Sequence, residues 1–349
     1  MAYTTIKNST AQFNSNIFTG NNTTQTFTGF NFQPDMTWLK KRNGAANHHL
    51  VDAVRGVGRY LYPNLTNAEG GSPPPPVLLT AFNSDGYTID DGEDANATGA
   101  TGVGWSWKAG NLANEVGTSN GDGSITSSVS ANTVGGFSIV KFTGTGANAT
   151  VGHGLGAVPK MMIFKNVDQA TEGWMVYHVG LGNTKKMNLD STTSSSSSST
   201  FWQDTTPTSS VFSVGSNHGM NGPDSMIAYC WADKVGYSKF GKYLGNGDND
   251  GTFVYTGFKP AFLMIKKDGS DGWQMFDDKR DASNPEIHRL EADSDAGDYT
   301  GLSAGWVDFV SNGFKVRYSG GGVGSNGSDY IYMAFAAEPL VGDNPATAR

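Results

Sequence analysis

Two segments of this sequence place a carboxylate and a guanidinium three positions apart, a spacing that suits a clamp for a charged ligand. They are residues 52–55 and 277–280, and each begins with aspartate and ends with arginine. The same residue types could instead pair with each other at a loop. The matching positions in the middle of the chain are His178 and Leu181. A function shared along the chain therefore cannot need the clamp, and a structural ion pair is favoured.

Acidic residues that could bind calcium occur at two places. Residues 248–251, Asp-Asn-Asp-Gly, are similar to the start of an EF-hand loop, but Lys259 stands where that loop needs a glutamate. The other place is residues 90–94, which contain four carboxylates. Solvated polar turns explain both stretches. The sequence therefore predicts no metal site and no cofactor, with a calcium site of scattered ligands as the alternative.

Catalytic motifs are sparse. Residues 153–156, His-Gly-Leu-Gly, resemble oxyanion-hole loops, but no Ser/His/Asp set recurs along the chain. His48 and His49 lack further ligands at the spacing that zinc needs. Paired carboxylates for glycoside cleavage remain open, because their separation depends on the fold. The sequence thus predicts a non-enzymatic protein without catalytic residues, with polysaccharide cleavage as the enzymatic alternative.

Tryptophan side chains could stack on sugar rings wherever they are exposed. Trp202 and Trp306 lie near loop or insert regions, and they are the predicted surface contact residues, with core packing as the alternative. The other tryptophans with assigned places in the repeat pattern are predicted to be core residues: Trp107, Trp174, Trp231 and Trp273.

The elements that position these residues form a pattern that occurs three times. In each copy a proline is followed six positions later by a lysine, with largely apolar residues between them. An aromatic–x–Gly signature precedes each proline by 16 or 17 residues. The prolines and lysines are Pro34 and Lys40, Pro159 and Lys165, and Pro260 and Lys266.

The downstream halves of the copies agree as well, since residues 82–89 match residues 309–316. A proline-rich insert at residues 72–76 and a serine run at residues 194–199 are predicted loops. The predicted organisation is an N-terminal arm (1–17), repeat 1 (18–108), a linker (109–136), repeat 2 (137–232), repeat 3 (233–339) and a C-terminal tail (340–349).

The composition predicts an all-β fold. The chain contains 47 glycines, and Gly and Asn separate short runs of β-branched and aromatic residues. We expect three tandem antiparallel β-sandwich domains of lectin-like or jelly-roll-like type. Met161 and Ile163 point one way and Met162 and Phe164 the other, so their strand should be covered on both faces. The lysine that ends this strand is expected near solvent.

Charge and hydropathy exclude several classes of partner. The formal net charge is −8 and the isoelectric point about 5.2, which does not suit nucleic acid. No run of 18 apolar residues and no signal peptide is present, so we expect no membrane insertion and folding in a host cytoplasm. Cys230, the single cysteine, is predicted to be a small buried apolar residue.

Several motifs resemble one family of proteins. The opening residues 1–6, the proline-to-lysine strand, residues 84–87 (Ser-Asp-Gly-Tyr), residues 151–156 and residues 237–241 are similar to tandem-repeat virion or tail-fibre proteins of marine tailed bacteriophages. The resemblance spans nearly the whole chain. It implies a β-sandwich domain and a place on the virion, and it carries no catalytic motif.

Two non-enzymatic functions follow from the resemblance. In the first, the protein is a tail-fibre or appendage component that recognises a host surface glycan or receptor. In the second, it decorates the capsid and docks on the head shell. The chain has no coiled-coil heptads and no collagen-like repeat, which favours decoration, whereas the family favours fibres. The expected partners are other virion proteins, and homo-oligomerisation is left open.

Overall fold

The structure, a computed structural model, describes residues 4–71, 78–91, 94–110 and 117–339. These residues form mostly antiparallel strands with a few short helices, so the all-β prediction is confirmed at that level. No helix among them is long and apolar enough to cross a membrane. The proline-rich insert and the C-terminal tail lie outside the described residues. The helices are a 3-10 helix (Ser9–Ala11), α1 (Ser199–Trp202), α2 (His218–Asn221) and α3 (Gly321–Gly324).

The strands fall into three groups along the chain. The first group contains β1 (Phe13–Thr19), β2 (Gln25–Thr28), β3 (Met36–Lys41), β4 (His49–Asp52), β5 (Leu79–Asn83), β6 (Gly86–Ile89) and β7 (Thr101–Trp107). The second contains β8 (Thr118–Asn120), β9 (Ser127–Asn132), β10 (Phe137–Thr143), β11 (Ala149–Gly152), β12 (Met161–Asn166), β13 (Met175–His178), β14 (Lys185–Asn188), β15 (Ser196–Ser197), β16 (Val211–Val214) and β17 (Ser225–Trp231). The third contains β18 (Ser238–Leu244), β19 (Phe253–Tyr255), β20 (Phe258–Lys267), β21 (Trp273–Asp277), β22 (Leu290–Glu291), β23 (Val307–Val310), β24 (Gly313–Val316) and β25 (Asp329–Pro339).

Each group builds a main sheet and a small sheet. The first main sheet has the order β1-β7-β3-β4, which recurs as β10-β17-β12-β13 in the second and as β18-β25-β20-β21 in the third. The small sheets are β2-β6-β5, β11-β16 and β19-β24-β23. The matching strand orders agree with the three copies of the sequence pattern.

The three main sheets also share their register. In each, the residue that matches Trp107 faces the same two neighbouring strands. These residues and their cross-strand neighbours are Trp107 with Phe13 and Met36, Trp231 with Phe137 and Met161, and Phe335 with Ser238 and Phe262.

The prolines of the pattern lie at or near strand starts. Pro34 and Pro159 come just before β3 and β12. Pro260 lies inside β20, where its register with β25 shifts. A residue at such an irregularity need not donate to the ladder, so proline is tolerated there.

The main sheets are covered on both faces, as predicted for residues 161–164. Met161 and Ile163 belong to one hydrophobic cluster, and Met162 and Phe164 belong to another. The second cluster fills the space between the main and small sheets of the second group. Burial on both faces therefore explains why consecutive residues of this strand are apolar.

The inner faces of the three main sheets meet in one hydrophobic core. The ring centroid of Trp107 lies 6.3 Å from that of Trp231 and 5.7 Å from that of Phe335. Phe13 of β1 packs on Phe335 at 5.3 Å. The three predicted units are therefore packed around a common centre.

Two predicted boundaries need correction. The predicted N-terminal arm contains most of β1, and Ile6 before it is buried in the shared core. The predicted linker supplies β8 and β9, which add two strands beside β10. The serine run, predicted as a loop, pairs through β15 with β14. Serine and asparagine dominate these segments, so apolar alternation marks their strands only weakly.

The turns that join β5 to β6 and β23 to β24 have the sequences Ser-Asp-Gly and Ser-Asn-Gly. Gly86 has φ +146°, and a Cβ there would lie 2.0 Å from the carbonyl oxygen of Phe27. A Cβ on Gly313 would lie 2.0 Å from the carbonyl oxygen of Val254. Glycine is therefore needed at both places because the neighbouring strand passes so close.

Candidate binding surface

Side chains at matching positions join each strand group to the next. Asp52, His178 and Asp277 occupy the same register position in β4, β13 and β21. Each makes a hydrogen bond to the closing strand of the following group, and the third group bonds to the first, so the groups form a closed ring. The contacts are Asp52 Oδ2 with the Tyr229 hydroxyl (2.6 Å), His178 Nε2 with the Tyr332 carbonyl (3.0 Å) and Asp277 Oδ2 with Trp105 Nε1 (3.0 Å).

The two aspartate–arginine pairs lie inside this ring. Arg55 Nε is 2.5 Å from Asp52 Oδ2, and the pair in residues 277–280 has the same distance. Burial alone would lower the pKa of the Arg55 guanidinium, but Asp52 and Glu69 raise the pKa above its ordinary value. The ion-pair prediction is confirmed, because each aspartate ends its strand and each arginine lies in the turn that follows, and both pairs are buried. Side chains that already satisfy each other cannot clamp a ligand.

A second set of matching residues ties each group to the preceding one. His48, Trp174 and Trp273 each lie four positions before the residues at Asp52, His178 and Asp277. Their ring nitrogens lie within hydrogen-bonding distance of backbone carbonyls of another group. The acceptors are Glu291 and Ser294 for His48 (both 3.1 Å), Tyr62 and Leu65 for Trp174 (2.9 and 3.1 Å), and Asn188 for Trp273 (2.9 Å). The prediction that Trp174 and Trp273 are core residues is confirmed.

The lysine of each copy is buried, so the prediction that it lies near solvent is wrong. Lys40, Lys165 and Lys266 have no exposed surface. The Lys165 ammonium donates to three backbone carbonyls at 2.8–3.1 Å. Lys40 and Lys266 donate to the carbonyls of Asp295 and Thr192, which belong to neighbouring groups. Burial lowers the pKa of all three amines to about 8, opposed by nearby carboxylates.

The predicted contact residues Trp202 and Trp306 are also interior, so that prediction is wrong. Trp202 is 1% exposed, packs on Phe164 at 5.4 Å and donates its indole N–H to the Lys185 carbonyl. Trp306 is 5% exposed, with the Arg289 guanidinium 4.5 Å from its ring. Proximity to loops did not indicate exposure, because side chains from elsewhere in the chain pack on both rings.

Two exposed aromatic side chains lie side by side on β19, at the edge of the third small sheet, and a third, Tyr299, lies outside this sheet. Phe253 is 46% exposed and Tyr255 is 57% exposed, whereas Val254 between them is buried. Alternate residues of a strand point to the same side, so the two rings share one face of the sheet. We call this pair the aromatic platform. Leu244, 56% exposed, lies close by, because its carbonyl accepts from the Thr252 hydroxyl at 2.7 Å.

Charged side chains border the aromatic platform. Lys315 lies opposite Phe253, and Asp308 lies opposite Lys315, so all three occupy one face. Lys315 Nζ is 2.6 Å from Asp250, and Arg317 Nε is 3.0 Å from Asp308. The hydrogen bond from Lys315 lowers the pKa of Asp250, which is therefore ionised at neutral pH. The surface combines apolar rings with donors and acceptors of both signs.

The aromatic platform belongs to the third group alone among the described small sheets. Register places hydroxyl or glycine residues at the same points in the other groups, so the fold does not need aromatic residues there. The matching residues are Thr26 and Thr28 in the first group and Thr150 and Gly152 in the second. Sequence reasoning missed the platform. The signal that could have found it is two aromatic residues at alternate positions where the other copies have none.

The remaining candidates form ordinary structural contacts. His153 is buried and accepts the Leu155 N–H through Nδ1 at 3.2 Å. Gly-x-Ser-x-Gly occurs at residues 117–121 and 301–305, but neither lies at a strand-to-helix turn. In residues 248–251, Asp248 accepts the Asp250 N–H at 2.9 Å, as in a polar turn. Residue 93 lies outside the described residues, and those described contain no cluster of three or more possible metal ligands. Cys230 is buried, as predicted.

Comparison with known proteins identifies one family. A family model described as a domain of unknown function (DUF7483) matches residues 8–339. No curated protein and no solved structure is significantly similar to the chain. The match covers all three strand groups, which fits a unit that folds as one body.

Proposed function

We propose that this chain, which belongs to the DUF7483 family, is a non-enzymatic surface protein of a bacteriophage virion and recognises the host surface as part of a tail appendage. Each strand group, with its main and small sheets, would be one β-sandwich domain of lectin-like or jelly-roll-like type. The sequence resemblance supports the virion context. The aromatic platform is the observation that supports recognition. It is an exposed apolar surface, and the other two groups fold without aromatic residues at the matching positions.

The chemistry of the platform suits a glycan. The apolar faces of sugar rings pack on aromatic side chains, and their hydroxyl groups need donors and acceptors at the edge. Phe253 and Tyr255 are two positions apart on a strand, about 7 Å, which allows contact with one or two neighbouring sugar rings. Lys315 and Asp308 supply a donor and an acceptor on the same face.

The rigid support of the platform favours binding with little ordering cost. β19 pairs with β24, whose Phe314 and Val316 are buried in the shared core. The rings therefore project from a well-packed sheet, and little backbone entropy is lost when a ligand binds.

The test is competition for phage adsorption. Purified protein should block adsorption to susceptible cells, and the double variant Phe253→Thr/Tyr255→Thr should block it about tenfold less well or worse. These threonines stand at the matching positions of the first group, so the fold should tolerate them. The control Val134→Thr/Val235→Thr removes two exposed apolar side chains elsewhere, and it should block like the wild type. Equal blocking by both variants, or cleavage of host polysaccharide by the protein, would contradict the proposal.

The closed ring favours one alternative, decoration of the capsid. Three similar groups around a common centre resemble a trimer made from one chain, and such a body fits a site of local threefold symmetry on a shell. In that case adsorption would be unaffected, and particles without the protein would lose resistance to heat or osmotic shock.

A further inference from the structure

Strand β1 has an open edge. It pairs with β7 on one side from Phe13 to Thr19, and no strand in the described part of the chain pairs with its other side. The Gln25 side chain donates to the Thr19 carbonyl at 3.2 Å and occupies the far end of the edge. Residues 13–18 remain without a strand partner on this side, and the Ser15 N–H donates to the Asn14 side chain at 2.9 Å, a contact that an added strand would replace.

The second strand group shows what covers the same edge when it is filled. β10 matches β1, and β9 lies antiparallel along it with six residue pairs, from Phe137 to Phe142. Register equates these residues with Phe13 to Phe18 of β1. The fold therefore accepts an added antiparallel strand over the stretch that is open in β1. β9 consists of short uncharged side chains, Ser-Ser-Val-Ser-Ala-Asn.

The third group shows how the same edge is protected when it is open. β18 has no strand on that side within the described residues, and it carries Lys239 and Lys242. Lysines on an edge strand discourage pairing with another chain. β1 has no charged residue, no proline and no bulge. At the position of Lys242, and of Lys141 in β10, it has Ile17, which is 48% exposed.

We propose that β1 is an interface between two copies of this chain, in which β1 of each copy pairs antiparallel with β1 of the other. Two strands related by a twofold axis run antiparallel, which is the orientation of β9 on β10. Self-pairing of β1 brings no like charges together, because the strand is uncharged. Its Asn14, Ser15 and Asn16 are short and polar like the residues of β9. The exposed Ile17 side chain is covered by the second copy.

This interface is independent of the aromatic platform, which lies in another strand group. Sedimentation velocity over protein concentrations up to about 100 μM tests it. The wild type should show a monomer–dimer equilibrium. Ile17→Lys should weaken dimerisation at least tenfold, and since the other two groups carry lysine at this position the variant should fold. Val235→Lys makes the same chemical change at an exposed site outside β1, and it should dimerise like the wild type.

Hydrogen exchange locates the contact independently. Backbone amides of residues 13–18 should exchange more slowly at high protein concentration than at low, while the β18 amides should not change. A wild type that stays monomeric over the whole range overturns the proposal. The proposal is also overturned if Ile17→Lys still dimerises and the hydrogen exchange of β1 amides does not depend on protein concentration. A monomer in which another strand protects the β1 amides overturns it as well.

Discussion

Trp105 donates its indole N–H to Asp277, 172 positions further along the chain, at 3.0 Å. This bond joins the first strand group to the third. Two matching contacts complete the ring of groups: the Tyr229 hydroxyl bonds to Asp52, and His178 bonds to the Tyr332 carbonyl. Asp277 also holds Arg280, so one buried carboxylate satisfies both a charge and the ring junction. The junction is therefore a point at which a single substitution affects two groups.

Asp277→Ala should destabilise the protein by about 3–5 kcal/mol, because it leaves the buried Arg280 guanidinium without its main partner. The control Asp250→Ala removes an exposed partner of Lys315, and it should destabilise the protein much less than Asp277→Ala, because solvent screens an exposed ion pair. Urea unfolding at neutral pH measures both. An equal loss of unfolding free energy in the two variants would show that the buried Asp277 contacts stabilise the protein no more than an exposed ion pair does.

The strand pattern, the repeats and the both-sided burial of residues 161–164 could be predicted, because apolar alternation and turn residues are local signals. The shared core could not, since nothing local distinguishes a strand facing its own small sheet from one facing another group. Lys40 illustrates the limit: a lysine after an apolar strand indicates solvent, yet carbonyls from Lys41 and Asp295 surround its ammonium. Trp202 was misplaced for the same reason, as the residues that pack on it, Phe164 and Tyr177, lie 25 or more positions earlier in the sequence.

The buried lysines predict an unusual pH dependence. Burial lowers the pKa of Lys266 to about 8 from 10.5, so above pH 8 the folded protein releases a proton that the unfolded chain keeps until about pH 10.5. The unfolded state then binds more protons, and stability rises with pH across this window. Relative to Lys266→Met, the wild type should gain at most about 3 kcal/mol between pH 8 and pH 10.

Urea unfolding at half-unit pH intervals measures this difference. Lys242→Met removes an exposed lysine of the same strand group and serves as the control for the change in net charge. A wild-type stability that falls relative to Lys266→Met as pH rises from 8 to 10 would contradict the assigned direction.

Trp202→Ala should behave as a core mutation. The indole is enclosed by Phe164 and Tyr177, and its removal leaves a cavity that costs about 3–5 kcal/mol. Phe253→Thr/Tyr255→Thr should change the free energy of unfolding by about 1 kcal/mol or less, because both rings are exposed. Thermal unfolding compares them. A Trp202→Ala protein that is as stable as the wild type but no longer binds ligand would show that Trp202 is a surface contact residue.

Calcium removal should leave the melting temperature unchanged. Asp250 is paired with Lys315, and Asp90 accepts a hydrogen bond from the Thr24 hydroxyl, so protein groups already satisfy the described acidic turns. Scanning calorimetry with and without chelator is sufficient. A fall of about 10 °C on chelation would correspond to roughly 2–5 kcal/mol and would reveal a structural ion.

The shared core predicts that the three strand groups unfold together. Ile139, Met161 and Ile163 of the second group face the other two groups, so a fragment of residues 117–232 would expose these side chains to water. We expect the intact chain to unfold in one calorimetric transition with equal van't Hoff and calorimetric enthalpies. The fragment should be aggregated, or should lack the near-ultraviolet circular dichroism of fixed aromatic packing. If the fragment is monomeric with a sharp melting transition of its own, the groups are independent domains, and the ring contacts at Asp52 and Asp277 only hold finished domains together.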